Sequence, residues 1–162
     1  MIEYIKGELT ELSPALAVVE AHGVGYALAI TLNTYTALQK TGAGHEVKVF
    51  VHEQLVTGGR DDAFSRFGFA TQQDSELNRP LITVNGIGGN TARMVLSATT
   101  PGDLCNTIAS GNEKMLRTVK GIGPKAAQRI ILELKDKIVT LGIASELHAS
   151  PATGAVTNIK LS

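Results

Sequence analysis

A chain of 162 residues with 43% apolar residues, no Trp and only seven Phe and Tyr can build one domain or two small ones around an aliphatic core. The formal net charge is zero, which excludes a uniformly basic coat, and the single Cys105 excludes an internal disulfide and fits a reducing cytosol. No apolar run approaches the length of a membrane span, and the N-terminus reads directly as a strand rather than as a signal peptide.

Residues 2–12 alternate unevenly and predict a strand with Gly7 at a bend or bulge. Ala15 to Glu20 predicts a second strand, His22-Gly23-Val24-Gly25 a glycine turn, and Tyr26 to Leu32 a third strand. Asn33-Thr34 is placed to cap a short helix through Gln39, closed by Thr41-Gly42-Ala43-Gly44. Glu46 to Val56 is a long strand with Val47, Val49 and Val51 on one face, and Ala63 to Phe69 a last one. Five or six short strands, glycine bends and one short helix suggest a small closed barrel of the oligonucleotide-binding (OB) type over residues 1–70.

From Thr71 the periodicity becomes helical, with helices expected over 72–84, 89–98, 101–110, 112–119 and 124–140. Pro80 falls where it would disturb the interior of the first of these. The expected class is therefore α+β: a barrel, a helical domain over 71–140, and a polar, tail-like stretch over 141–162. Charge follows the same division. Residues 1–79 hold six Lys/Arg against ten Asp/Glu, whereas 80–162 hold nine against five, and seven of those nine lie between Lys114 and Lys137.

The helical half also contains a repeat. Leu81 to Ala92 and Leu116 to Ala127, offset by 35 residues, share the frame Leu-x-Thr-Val-x-Gly-Ile-Gly-x-x-x-Ala at seven of twelve positions. Two copies fall short of the three or more a solenoid needs, so the repeated object is a small functional unit. In each copy a short apolar helix runs into a glycine, where a left-handed residue is cheap. Ile87 or Ile122 then anchors the turn, and a second glycine opens a new helix, with Pro124 at a first helical position in the second copy. Unpaired N–H groups at a helix N-terminus make an anion site, and a nucleic-acid phosphate is the natural anion. Lys120, Lys125 and Arg129 add positive charge around the second copy. A lone Gly-Ile-Gly would be an ordinary helix end; duplication makes that reading poor.

Thr57-Gly58-Gly59-Arg60-Asp61-Asp62 places two adjacent carboxylates at a hairpin tip, which on its own reads as a solvated turn. A metal site is disfavoured because adjacent side chains on a strand point apart, and the four His residues show no ligand spacing. No cofactor signature is present, and no phosphate-binding Gly-x-x-x-x-Gly-Lys-Ser/Thr loop occurs, so any ATP-driven step would come from a partner.

The repeated unit looks like the helix-hairpin-helix motif, a sequence-independent binder of DNA backbone. A tandem pair followed by Ile-Ile-Leu-Glu-Leu-Lys-Asp-Lys (130–137) resembles the RuvA family, and the likeness spans roughly residues 1–140, with Ile2–Gly7, Gly23-Val24-Gly25-Tyr26 and the 57–69 region as further parts. The resemblance implies DNA-binding positions at Asn85, Gly86, Ile87, Gly88, Asn90 and Arg93 in the first hairpin. In the second it implies Lys120, Gly121, Ile122, Gly123, Lys125 and Arg129. It also makes Asp61 and Asp62 the family's acidic pin, whose negative charge repels phosphates at the centre of a four-way junction and helps part the strands.

The resemblance implies a non-catalytic, structure-selective subunit that holds a Holliday junction open and square in recombination and DNA repair. It would act as a homotetramer or octamer in the bacterial cytoplasm, with the RuvB motor hydrolysing ATP and the RuvC resolvase as a further partner. The departures are specific. The loop before Asp61 is longer than the family's, and Gly89-Asn90 stand where many relatives have Pro-Lys, leaving backbone N–H groups and Arg93 to hold the phosphate. Only about 20 tail-like residues stand where the family carries a third domain that docks RuvB. Two rival readings use the same residues: the general DNA-binding module of a repair nuclease or glycosylase, and a protein-interaction adaptor that binds no nucleic acid.

Overall fold

The structure, a computed structural model, describes residues 1–56 and 63–138. In chain order the elements are β1 (Tyr4–Ser13), β2 (Leu16–Ala21), β3 (Val24–Ile30), α1 (Leu32–Thr41), β4 (Glu46–Val56) and β5 (Ala63–Phe69). They continue with α2 (Gln72–Thr83), α3 (Gly89–Ala98), α4 (Pro101–Ala109) and α5 (Glu113–Arg117). A further helix, α6, runs over 124–138. The strands close a five-stranded barrel in the order β1-β2-β3-β5-β4, in which β3 and β5 pair in parallel through Ala29↔Phe67 and Ile30↔Gly68. This is the OB-type barrel followed by helices that the sequence predicts.

Three local expectations need correction. The register shift in β1 falls between Leu9 and Glu11, not at Gly7, which pairs in register with Val47. Gly7 is needed for another reason: a Cβ there would run into the Glu20 carbonyl and the Ala21 backbone, so the glycine lets β2 cross β1 closely. The cap of α1 is Thr31, whose hydroxyl accepts from the Thr34 N–H at 3.1 Å. Asn33 instead donates across the domain border to the carbonyls of Leu96 (2.6 Å) and Thr99 (3.1 Å). Pro80 does not break α2, which runs on to Thr83 at the cost of the one N–H donor that a proline lacks.

The β4–β5 ribbon separates two apolar cores. Its barrel-facing side, with Val49, Val51 and the Gly68 backbone, closes over Ile5, Leu9, Val19 and Leu28. Its other side sends Phe67 and Phe69 into the helical core among Leu77, Leu81, Leu96, Leu104, Leu116, Ile130 and Leu134. Full burial of a phenyl contributes about 1.5–3 kcal/mol, so β5 binds the helical layer to the barrel even though the backbone changes character near residue 70.

Candidate nucleic-acid interface

The two hairpins repeat each other bond for bond. Val84 N–H donates to Leu81 O (3.2 Å), Ile87 N–H to Val84 O (3.0 Å) and Ala92 N–H to Gly88 O (3.0 Å). Thirty-five residues on, Val119 donates to Leu116 (3.1 Å), Ile122 to Val119 (3.1 Å) and Ala127 to Gly123 (3.0 Å). The chain reverses through Gly86 at φ 90° and Gly121 at φ 92°, a conformation that L side chains rarely adopt. Ile87 and Ile122 are buried and hold the turns down, which leaves Asn85, Gly86, Gly88, Lys120, Gly121 and Gly123 exposed above them.

The helices that leave these turns start differently from the others. Helices α1, α2, α4 and α5 each open on a residue whose side chain accepts from a first-turn N–H: Thr31, Thr71, Thr100 and Asn112. Helix α3 opens on Gly88, with no side-chain cap bond. The Gly123 carbonyl takes the first backbone bond of α6, so a residue without a side chain occupies that cap position too. The N–H groups that a Thr or Asn satisfies elsewhere are left for an external acceptor, at the positive end of the helix dipole.

The hairpins lean on each other. Arg129 of α6 reaches back to the first turn, donating from Nη1 to the Asn85 carbonyl at 3.4 Å. In return, the position a Cβ would take on Gly121 lies 3.9 Å from the Thr91 side chain of α3. Asn90 and Lys120, one from each hairpin, line a common cleft of about 680 Å³ against the barrel, floored by apolar residues such as Ile30, Leu32 and Met94. Lys120, Lys125 and Arg129 are exposed.

Arg93 is placed differently from the other basic residues. Its guanidinium turns toward the barrel, with Nη1 3.3 Å from the Ile30 carbonyl and 3.5 Å from that of Ala15, and Nη2 2.9 Å from the Asn90 side chain. It also lies 5.8 Å from the centroid of the Phe67 ring, and burial lowers its pKa. These contacts make it a strut between α3 and the barrel. Asp61 and Asp62 lie outside the described residues.

The difference between the two hairpins has a steric cause that the sequence pattern does not convey. Gly89 corresponds to Pro124 in the repeat, and a Cβ on Gly89 would collide with the Phe67 ring and come within 2.8 Å of Gln54 Oε1. Pro124 is exposed, while the first hairpin is pressed against β4 and β5. Phe67, Gln54 and Asn33 therefore position the interface without belonging to either motif.

Comparison with known proteins follows the same division of the chain. The RuvA N-terminal domain matches residues 1–68, and the SAM-like helix-hairpin-helix tandem matches residues 79–136. The Holliday junction branch migration complex subunit RuvA of Bacteroides fragilis is 53% identical over 156 residues, covering 96% of this chain and 74% of that protein. This chain belongs to the RuvA family. The RuvA subunit of Bacteroides thetaiotaomicron is also 53% identical, over 88% of this chain and 67% of its own length. That of Parabacteroides distasonis is 46% identical over 97% and 78%. As a RuvA-family chain, it carries both matched regions in their expected order. The tandem match contains both glycine turns and the exposed Asn85, Asn90, Lys120, Lys125 and Arg129 around them.

Proposed function

We propose that this protein binds four-way junction DNA as the non-catalytic subunit of a branch-migration complex in recombination and repair. The observation that carries the reading is the pair of hairpin helices opening on glycine, with first-turn N–H groups free of a side-chain cap, while four other helices are capped by Thr or Asn. Two such N-termini, flanked by Lys120, Lys125 and Arg129, grip phosphates without reading bases. The name these relatives share, Holliday junction branch migration complex subunit, supports the junction as the target and a complex as the setting.

In this reading the RuvB motor supplies ATP hydrolysis, and the protein works as a homotetramer or octamer in the bacterial cytoplasm, with RuvC as a later partner. Asp61 and Asp62 act as the acidic pin, weakening the hold on continuous duplex near the crossover. Competition between a four-way junction and linear duplex of the same sequence, followed by gel shift across a salt series, tests the proposal. Junction preference in complexes of four or eight chains is expected. Equal affinity for both would reduce the protein to a general DNA-binding module, and binding to neither would reject the nucleic-acid reading. Replacing Asp61 and Asp62 together by Asn should strengthen duplex binding relative to junction; unchanged selectivity would return that turn to a solvated loop.

A further inference from the structure

The two sides of the β4–β5 ribbon do not end alike. The side facing the helices is covered by α2 and α3, with Phe67 and Phe69 buried in the helical core and Gln54 against the start of α3. The barrel-facing side begins as core at Val49, Val51 and Gly68 and then runs past the barrel. First comes the opposed pair Glu53 and Arg66, joined by an ion pair of 2.9 Å, and then the opposed pair Leu55 and Phe64. Leu55 is 60% exposed and Phe64 52%, and neither belongs to a core cluster of the described residues. The Arg66 guanidinium lies 4.6 Å from the Phe64 ring centroid and 5.7 Å from that of Tyr26, so a ring, a cationic plane and a second ring succeed one another along this face.

Single exposed apolar residues are ordinary. Here two directly opposed ones extend a cation–aromatic stack and add nothing to either core. We propose that Phe64, with Arg66 and Leu55, is a stacking platform for one unpaired nucleobase. An aromatic ring beside a guanidinium plane is the chemistry by which unstacked bases are received, and it tolerates any base because every base has a π-face. Glu53 holds Arg66 in place and balances its charge, which favours stacking over phosphate binding. Two side chains supply a small part of the roughly 800 Å² per partner that a stable protein interface buries, whereas a base is ring-sized. The ribbon that carries the platform also passes the hairpins: Gln54, next to Leu55 but on the opposite face of β4, is in contact range of Gly89 at the uncapped start of α3. A strand held there by its phosphates has the ribbon beside it.

This inference rests on the junction-binding reading, since a migrating crossover is where bases exchange partners. The chain contains no Trp, so Phe64→Trp introduces a single indole as reporter. Its emission would be followed while titrating a four-way junction with two unpaired thymines at the crossover, and separately the linear duplex, with gel shifts on the same samples. Quenching by the junction and little change with duplex is expected. Phe64→Ala should weaken binding of the thymine-bearing junction about five- to a hundredfold while leaving duplex affinity unchanged. An unchanged indole in a complex that the gel shows saturated would overturn the platform and leave the junction reading intact. Emission that changes with protein concentration in the absence of DNA would overturn it in favour of a second copy covering this face. Failure of the unsubstituted protein to bind either DNA would overturn both readings.

Discussion

Arg129 and Asn85, 44 residues apart, meet across the two hairpins through a bond from the Arg129 Nη1 to the Asn85 carbonyl at 3.4 Å. The contact comes from the second helix of one hairpin and ends on the turn of the other. With Thr91 packed toward Gly121 in the opposite sense, it braces the two proposed phosphate sites as one object. A rigid pair of sites can engage DNA at both places without a further entropy loss.

The brace separates Arg129 from the two lysines in what a substitution should do. Lys120→Ala and Lys125→Ala each remove exposed charge and should lower the salt slope of log affinity by about 0.9, alike on any DNA sequence. Arg129→Ala should produce the same slope change and a larger loss of affinity at fixed salt, because it also frees the first turn. Salt-dependent anisotropy on two unrelated sequences measures both quantities. Strong sequence preference in the series would contradict backbone recognition.

Leaving Gly88 and Gly123 without caps sets stability against binding. Gly88→Asp or Gly123→Asp supplies a side-chain acceptor at the cap and should stabilise the fold by a few tenths of a kcal/mol. The same carboxylate occupies the N–H groups and repels phosphate, so junction affinity should fall by about tenfold or more. Urea denaturation and gel shift on the same variants decide the matter. A cap that stabilises without weakening binding would mean that these N–H groups do not hold the DNA.

Much of this geometry was legible in the sequence because it is local. The Leu-x-Thr-Val-x-Gly-Ile-Gly frame specifies which residues are buried, where φ turns positive and where each helix starts, and those features follow the pattern through Ile87, Gly86, Gly121 and Ile122. The contacts of Arg93 were not legible. Its spacing places it one turn into a hairpin helix, but its partners are the Ala15 and Ile30 carbonyls, 78 and 63 residues away. Asn33 likewise looks like a local cap and is used as a long-range donor to the end of α3. Contacts of that span are set by barrel closure, which periodicity does not encode.

The seam between barrel and helices predicts a pH response with two signs. His52 has its pKa lowered by burial and by Arg79, with Glu53 opposing, so its contribution to stability is present above about 6.5 and is lost as pH falls through the lowered value. Asp74 has its pKa raised by burial, against a hydrogen bond from Thr71, so its contribution is full below about 3.8 and is lost as pH rises through the raised value. His52→Gln should therefore flatten the loss of stability below pH 6.5. Asp74→Asn, which keeps an acceptor for the Thr71 hydroxyl, should raise stability near neutral pH. Thermal melts from about pH 4 to 8 check both; parallel curves for variant and parent would exclude these groups as the cause.

The contact between Gly89 and Phe67 yields the sharpest test of how the first hairpin is seated. A methyl at Gly89 meets the far edge of the Phe67 ring, so Gly89→Ala should cost about 1–3 kcal/mol through overpacking, more than the gain of up to about 1 kcal/mol from alanine's helix propensity. Phe67→Leu removes the colliding ring atoms and on its own leaves a small void in the helical core. In the double variant the methyl fills part of that void, so the two changes together should cost less than their sum, with a coupling of about 1 kcal/mol or more. Gln54, the other neighbour, is a flexible side chain that can withdraw, and Gln54→Ala should change the outcome little. If Gly89→Ala costs the same in both backgrounds, the ring is not what holds this position to glycine. If the coupling appears and Gly89→Ala also loses junction binding while Gly89→Ala with Phe67→Leu recovers it, the seat of α3 on β5 is what aims the first hairpin's N–H groups at the DNA.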